Sequence, residues 1–197
     1  MSFRKEKKIR LTIYEFGILR NKLLLQGMKP LFEKREINSL YYDTDDYGMY
    51  HDSEEGLLPR KKVRIRWYDD ITKASKEVKI SSFEGRFKTS DAFHVPSRRY
   101  LPKSFYDSYY GSISPSLCVS YIREYFLYKE MRITFDSYIK YVNERFSHKI
   151  PVLDGECVME VKVGFDVPDD YIERVIEYPI SRFSKYSRGL LTTGCEL

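Results

Sequence analysis

Basic side chains occupy every second position of the segment RKKVRIR, residues 60–66. Because side chains in a strand alternate between two faces, this spacing predicts a strand with one cationic and one apolar face. The cationic face carries Arg60, Lys62, Arg64 and Arg66. Cations two positions apart lie roughly 7 Å from each other, which costs about 2 kcal/mol per neighbouring pair at an effective dielectric of about 20. Either this face is simply solvated, or an anionic partner offsets the repulsion.

The same alternation recurs in other segments. We predict strands over Arg4–Leu11, INSLYYDT, KEVKIS, GRFKTS, CVSYIREYFL, MRITFD and ECVMEVKV. Apolar residues at helical spacing predict a helix from Tyr14 to about Gln26, and a shorter helix is expected from Pro168 to about Glu177. Residues 93–116, rich in Tyr, Ser and Pro, are interpreted as a helix with loops.

About eight strands, nearly all with one apolar and one charged face, define the expected fold. We predict an α+β fold in which a closed antiparallel eight-stranded β-barrel forms a basic tunnel, with helices packed on the outside. The helices would cover the apolar faces of the strands, and the charged faces would line the tunnel. We expect one domain over residues 1–197, because no Pro, Gly or Ser-rich linker divides the chain.

Composition excludes several classes of protein. The chain has 42% hydrophobic and 32% charged residues and a net charge of +5, which favours an anionic partner. No apolar run approaches the roughly 20 residues of a membrane span, and we expect a cytoplasmic protein. Cys118, Cys157 and Cys195 lack the spacing of a metal site or disulfide framework, and the histidines are scattered singly. No GxSxG, HExxH or P-loop motif is present, which argues against common hydrolases, zinc enzymes and P-loop kinases.

Several segments together carry a family resemblance. SLYYDTDDYGMYHD, RKKVRIRWY, KEVKIS, RFKTS, YIREYFL, MRITFDS, VMEVKV and YPISRFSKYSRG follow one another in this order. In this series the chain resembles the VTC domain of the CYTH-like triphosphate tunnel metalloenzymes, whose eukaryotic members include a polyphosphate polymerase subunit. The resemblance covers nearly the whole chain, and it implies the tunnel fold described above.

The resemblance implies roles for individual residues. Those expected to act on the phosphates directly are Lys8, Arg64, Arg66, Lys79, Arg123, Arg132 and Lys185. Further substrate-binding residues are Arg4, Arg60, Lys62, Lys88 and Lys162. Glu160 is the expected ligand of a divalent metal, Mn²⁺ or Mg²⁺, with Glu6 of the first strand as a second metal ligand. The alternative for Glu160 is an ion pair with Lys162 or an arginine.

The resemblance implies a polyphosphate polymerase that transfers the γ-phosphate of ATP to a growing chain. Its partners would be ATP, triphosphate and polyphosphate. The alternatives are a metal-dependent triphosphatase and a binding module without catalysis. A nucleic-acid binder is disfavoured, because the basic residues follow sheet periodicity and no RNP or helix-turn-helix signature appears. Arg4 stands where related phosphatases and cyclases open with ExExK, which favours phosphate holding over hydrolysis. The sequence shows neither an SPX domain nor membrane spans, so coupled export is not implied, and no membrane-protein partner can be identified.

Overall fold

The structure is a computed structural model that describes residues 4–194, apart from the side chain of Arg4. Cys195 lies outside the described residues. The strands in this range are β1 (Arg4–Thr12), β2 (Lys29–Asp43), β3 (Arg60–Tyr68), β4 (Asp70–Ser82), β5 (Gly85–Phe93), β6 (Phe105–Asp107), β7 (Gly111–Tyr128), β8 (Met131–Asn143), β9 (Val152–Leu153) and β10 (Glu156–Gly164). The helices are α1 (Ile13–Leu25), α2 (Gly48–Glu55), α3 (Tyr171–Ile176) and α4 (Lys185–Thr192). None of the described helices is long and apolar enough to cross a membrane.

The α+β class and the predicted strands are confirmed, as are the helices α1 and α3. The helix expected within residues 93–116 is wrong. That region contains a single 3₁₀ turn, Arg98–Tyr100, the short strand β6 and the beginning of β7. Pro96 and Pro102 prevent a continuous helix there. The helices α2 and α4 were not predicted.

The strands follow the order β1-β10-β8-β7-β2-β3-β4-β5, with β6 on β7 and β9 on β8. The predicted closure of eight strands into a barrel is wrong, because this order is a path with two ends. Within residues 4–194, β1 pairs with β10 and β5 pairs with β4, and no pairing joins the two end strands. Both end strands, RKEKKIRLT and GRFKTSDAF, carry charged side chains, which protect open sheet edges from association.

The described chain divides into two compact units. Unit 1 contains residues 4–35, 121–139 and 153–183, and unit 2 contains residues 36–120, 140–152 and 184–194. The strands β2, β7, β8 and β9 each contribute residues to both units. The expectation of a single domain over residues 1–197 stays a prediction.

In unit 1, helices cover the apolar face of the sheet. Helix α1 begins at a capping box, in which Thr12 accepts a hydrogen bond from the Glu15 amide and Glu15 accepts one from the Thr12 amide. Its residues Leu19 and Leu23 pack into the core formed by the apolar faces of β1, β8 and β10, and α3 packs into the same core. The charged residues of these strands therefore lie on the other face of the sheet.

In unit 2, the apolar face of β3 is equally buried. Val63 and Ile65 pack with Met49 of α2 in a second core. Helix α4 lies close to β7 and β8. A Cβ atom added at Gly189 would stand 2.5 Å from side-chain atoms of both Leu117 and Tyr141. The predicted division of β3 into an apolar and a cationic face is confirmed.

Candidate functional site

The strand register of unit 2 assembles a basic face from four strands. Along β3, Arg64 lies directly between Tyr41 of β2 and Glu77 of β4. Lys62 lies opposite Lys79, and Lys79 lies opposite Lys88 of β5. Directly opposite residues point to the same side of a sheet. The predicted site residues that share this face are Arg60, Lys62, Arg64, Arg66, Lys79 and Lys88.

Glu77 is the anion that offsets the repulsion along β3. The Arg64 guanidinium donates from Nε and Nη2 to one Glu77 carboxylate oxygen, at 2.8 Å and 2.5 Å. The Lys88 ammonium donates to the other oxygen at 2.7 Å. Arg64 and Glu77 are 8% and 3% exposed, so this is a buried ion pair rather than a solvated surface contact. The solvated-face alternative is therefore excluded at Arg64.

Two further groups hold the arginines of this face. Arg64 Nη1 donates to the Tyr41 hydroxyl at 2.8 Å, and Arg66 Nε donates to Ser39 Oγ at 3.0 Å. Burial disfavours ionisation of Tyr41, but the charges of Arg64 and Arg66 outweigh it and lower the pKa of this phenol to about 7. Burial likewise disfavours the charged Glu77 carboxylate, yet the same arginines lower its pKa to about 2. Both pKa values report a strongly positive environment.

Helix α4 lies at one end of this face. The ring of Tyr186 stacks on the ring of Tyr41 with centroids 4.8 Å apart, and its hydroxyl donates to the buried Asp43 carboxylate at 2.5 Å. Lys62 Nζ donates to Ser184 Oγ, the N-cap of α4, at 3.0 Å. The predicted site residue Lys185 is the first residue of this helix. Unit 2 thus brings seven of the predicted residues into one region, although Arg60 also donates to the Leu57 carbonyl at the strand end.

Unit 1 carries a second, mixed cluster on its polar face. Lys162 of β10 lies opposite Glu6 of β1, and Glu160 lies opposite Lys8. The Lys162 ammonium is 2.5 Å from Glu160 Oε1 and 3.5 Å from Glu6 Oε2. Lys8 Nζ is 3.7 Å from the Glu6 carboxylate and donates to the Phe183 carbonyl at 2.9 Å. Cations and carboxylates therefore alternate along each strand and across the pair of strands.

Arg123 of β7 completes this cluster. Its guanidinium forms two hydrogen bonds with Asp136, at 2.6 Å and 2.7 Å, and lies 3.8 Å from Glu160. Burial lowers the pKa of the Arg123 guanidinium, but the charge of Asp136 outweighs this effect and raises the pKa above its ordinary value. Burial also opposes the charge of Glu160, and here Lys162 and Arg123 hold the pKa of the carboxyl well below its ordinary range. Glu160 is therefore a buried carboxylate that stays ionised.

The remaining predicted residues are placed as follows. Arg132 of β8 lies opposite Lys162 and is exposed. Arg4 lies opposite Gly164, and its side chain is outside the described part of the structure. Sequence reasoning missed Tyr41, Glu77 and Asp136 as partners of the site arginines. Glu77 and Asp136 had a usable signal, because KEVKI puts Glu77 on the same strand face as Lys79, and MRITFD puts Asp136 on the same face as Arg132.

The groups around the two carboxylates that were predicted as metal ligands indicate whether they could bind a metal. Glu160 and Glu6 both approach the Lys162 ammonium, so a cation already lies between them. No group of three or more His, Cys, Asp or Glu residues suited to a metal occurs among residues 4–194. One or two carboxylates together with substrate phosphates are a common Mg²⁺ arrangement. The residues therefore fit a metal that arrives with phosphate, rather than one held by protein alone.

Comparisons with known proteins agree with this fold. Three solved structures share the fold with TM-scores of 0.52–0.53: a candidate adenylate cyclase from Vibrio parahaemolyticus, a protein from Pyrococcus horikoshii OT3, and a candidate adenylyl cyclase from Hippeastrum with a dominant triphosphatase activity. Their identities to this chain are 16%, 13% and 14%. They cover 96%, 96% and 98% of this chain, and it covers 98%, 100% and 96% of theirs. No curated protein matched in a sequence comparison. The VTC domain profile, in contrast, matches residues 3–193, and the chain therefore belongs to the VTC domain family.

Proposed function

We propose that this protein is a polyphosphate polymerase that transfers the γ-phosphate of ATP to the end of a growing polyphosphate chain. The observation that carries the proposal is the basic face of unit 2, where six cations share one face of the sheet and two of them, Arg64 and Lys88, hold Glu77. A triphosphate carries about four negative charges, which the excess of positive charge on this face can offset. Membership of the VTC domain family supports the same choice, and a cytoplasmic location remains part of the proposal.

Phosphoryl transfer depends mainly on positioning and on neutralising charge, so it needs no covalent partner from the protein. Arg64 and Arg66 would grip phosphate oxygens through planar, paired donors, while lysines such as Lys79 act as point charges. Because Glu77 and Tyr41 already fix Arg64, its guanidinium is oriented before the substrate arrives. The attacking oxygen would come from the end of the polyphosphate chain.

A divalent metal, Mn²⁺ or Mg²⁺, would be held by Glu160 and Glu6. When bound, the metal would neutralise charge on the phosphates. In this role Glu160 must stay ionised, and the lowered pKa of its carboxyl meets that requirement. Lys162 and Lys8, which flank the two carboxylates, would contact phosphate oxygens bound at this cluster.

A triphosphatase is the second candidate. It is favoured by the fold shared with the Hippeastrum protein, for which triphosphatase activity is stated. The two reactions differ in the attacking group, which is water in the triphosphatase and the chain end in the polymerase. A binding module without catalysis is the third possibility.

Incubation of the purified protein with ATP and Mn²⁺, followed by separation of the products, distinguishes these functions. Long phosphate chains are expected. Free phosphate alone would indicate a triphosphatase, and unchanged ATP with measurable binding would indicate a binding module. Failure to bind either ATP or tripolyphosphate would refute all three.

The Glu160→Gln variant tests the metal assignment. We expect metal-dependent turnover to collapse while metal-free binding of tripolyphosphate persists or tightens, because the change removes a negative charge but keeps the shape. Glu156→Gln is the matched control, since Glu156 lies on the same strand and pairs with Arg10 away from this cluster. Equal metal dependence in wild type and Glu160→Gln would end the assignment.

A further inference from the structure

The hydroxyl group of Thr134 is buried and has no hydrogen-bond partner among the described residues. Thr134 lies on β8, directly opposite Glu160 of β10. Its neighbours on the same face of β8 are Arg132 and Asp136, which lie two positions away on either side. The orphaned hydroxyl thus lies within the polar cluster of unit 1.

An unpartnered buried hydroxyl is unfavourable, since a buried polar group without a hydrogen bond destabilises the fold. Valine has nearly the same shape and would avoid this cost. Most buried polar groups in proteins find a partner. We therefore expect the Thr134 hydroxyl to find a hydrogen-bond partner in another state of the protein.

Among residues 4–194, Glu160 is the charged residue directly opposite Thr134 on β10. Directly opposite residues have Cβ atoms about 4.5–5.5 Å apart, so the short threonine side chain reaches little beyond Glu160. In the described state, Glu160 Oε1 is held by Lys162 at 2.5 Å, and Oε2 faces Arg123 at 3.8 Å. The Glu160 carboxylate would become available to Thr134 if Lys162 moved away.

We propose that Thr134 is a positioning residue for Glu160 that replaces Lys162 when this lysine turns to a bound phosphate. The Thr134 hydroxyl then donates to the Glu160 carboxylate and keeps it oriented. Lys162 is suited to such an exchange, because its side chain is 34% exposed and its ammonium contacts both Glu6 and Glu160. The role of phosphate in this exchange rests on the proposed function, whereas the exchange itself does not.

A thermal double-mutant cycle tests the exchange without any ligand. In the native background, Thr134→Val should leave the Tm unchanged or raise it, because the hydroxyl it removes has no partner. In a Lys162→Met background, Glu160 has lost its lysine, and the same change should lower the Tm by about 4 °C or more. Thr134→Ser should restore the Tm in that background. An equal effect of Thr134→Val in both backgrounds would overturn the exchange.

Calorimetric titration with tripolyphosphate, in the absence of metal, tests the link to binding and also decides the matter if Lys162→Met does not fold. Thr134→Val should bind about tenfold more weakly than wild type, and Thr134→Ser should bind within about threefold of it. Wild-type affinity in Thr134→Val would overturn the inference. Equal losses in both variants would also overturn it, because Thr134→Ser keeps the hydroxyl. A wild-type protein that does not bind tripolyphosphate would overturn the proposed function and the phosphate link with it, while the thermal cycle still reports on the exchange alone.

Discussion

Replacement of Glu77 by Gln is expected to destabilise the protein while strengthening its affinity for anions. The carboxylate of Glu77 is 3% exposed and holds both Arg64 and Lys88. Glutamine keeps the shape and one acceptor oxygen, but it removes the negative charge between these cations. Arg64 would then lose the carboxylate that accepts two of its hydrogen bonds.

The magnitude follows from the pKa of Glu77, which lies at about 2 instead of the ordinary 4.5. At about 1.4 kcal/mol per pKa unit, the positive surroundings favour the ionised carboxylate by about 3 kcal/mol. Loss of one partner of a buried ion pair typically costs about 3–5 kcal/mol, which agrees. For a chain of this size, about 3 kcal/mol corresponds to a fall in Tm of roughly 6–12 °C.

Urea unfolding of wild type and Glu77→Gln as a function of pH is the assay. Because the folded-state pKa of Glu77 is depressed, its contribution to the free energy of unfolding is complete above about pH 4.5 and is lost as the pH falls towards 2. The difference between the two proteins should therefore shrink over this range. Glu84→Gln, a change in the turn after β4, is the control and should have little effect. A difference at pH 7 of less than about 0.5 kcal/mol would refute the idea that Glu77 offsets the repulsion along β3.

Two further predictions concern Tyr41 and the glycines of the helices. Absorbance at 295 nm should show one tyrosine that ionises near pH 7 in wild type and is missing in Tyr41→Phe. Because the folded-state pKa of Tyr41 is depressed, the free energy of unfolding of wild type should increase relative to that of this variant between about pH 7 and 10. Identical absorbance titrations of the two proteins would contradict this prediction. Gly189→Ala should lower the stability by roughly 1–3 kcal/mol, because its Cβ would clash with Leu117 and Tyr141. Gly17→Ala in α1 should raise the stability by up to about 1 kcal/mol, because a Cβ at this position meets nothing within 4 Å. Equal changes in unfolding midpoint for the two variants would show that α4 is not tightly packed.

The cationic faces were predictable from sequence because they depend only on the two-residue period of a strand. The pairing of Arg64 with Glu77 was not, because it depends on the register of two neighbouring strands. Near the turn, Tyr68 lies opposite Asp70, and this register continued along the strands would put Arg64 opposite Ala74. An irregularity between Arg66 and Tyr68 shifts the register and brings Glu77 to Arg64 instead. Sequence periodicity carries no sign of such a shift.

The same limit explains the other missed features. The contact of Tyr186 with Tyr41 joins residues 145 positions apart in sequence, so no local sequence pattern predicts it. The helix α4 itself contains Gly189 and begins with polar residues, so its sequence gives a weak helical signal. Its placement is set by close packing against β7 and β8, which is a tertiary property.

The anchoring of Arg64 has a consequence for the thermodynamics of ligand capture. A free arginine side chain loses about 2 kcal/mol of rotamer entropy when it is fixed in one geometry. In this protein that loss is incurred during folding, because Glu77 and Tyr41 already immobilise the guanidinium. An anion arriving at Arg64 therefore meets a rigid donor, and its capture should show a smaller entropic penalty than capture by the exposed Arg132. Lysine at position 64 would restore the mobile side chain and lose this advantage even though it keeps the charge.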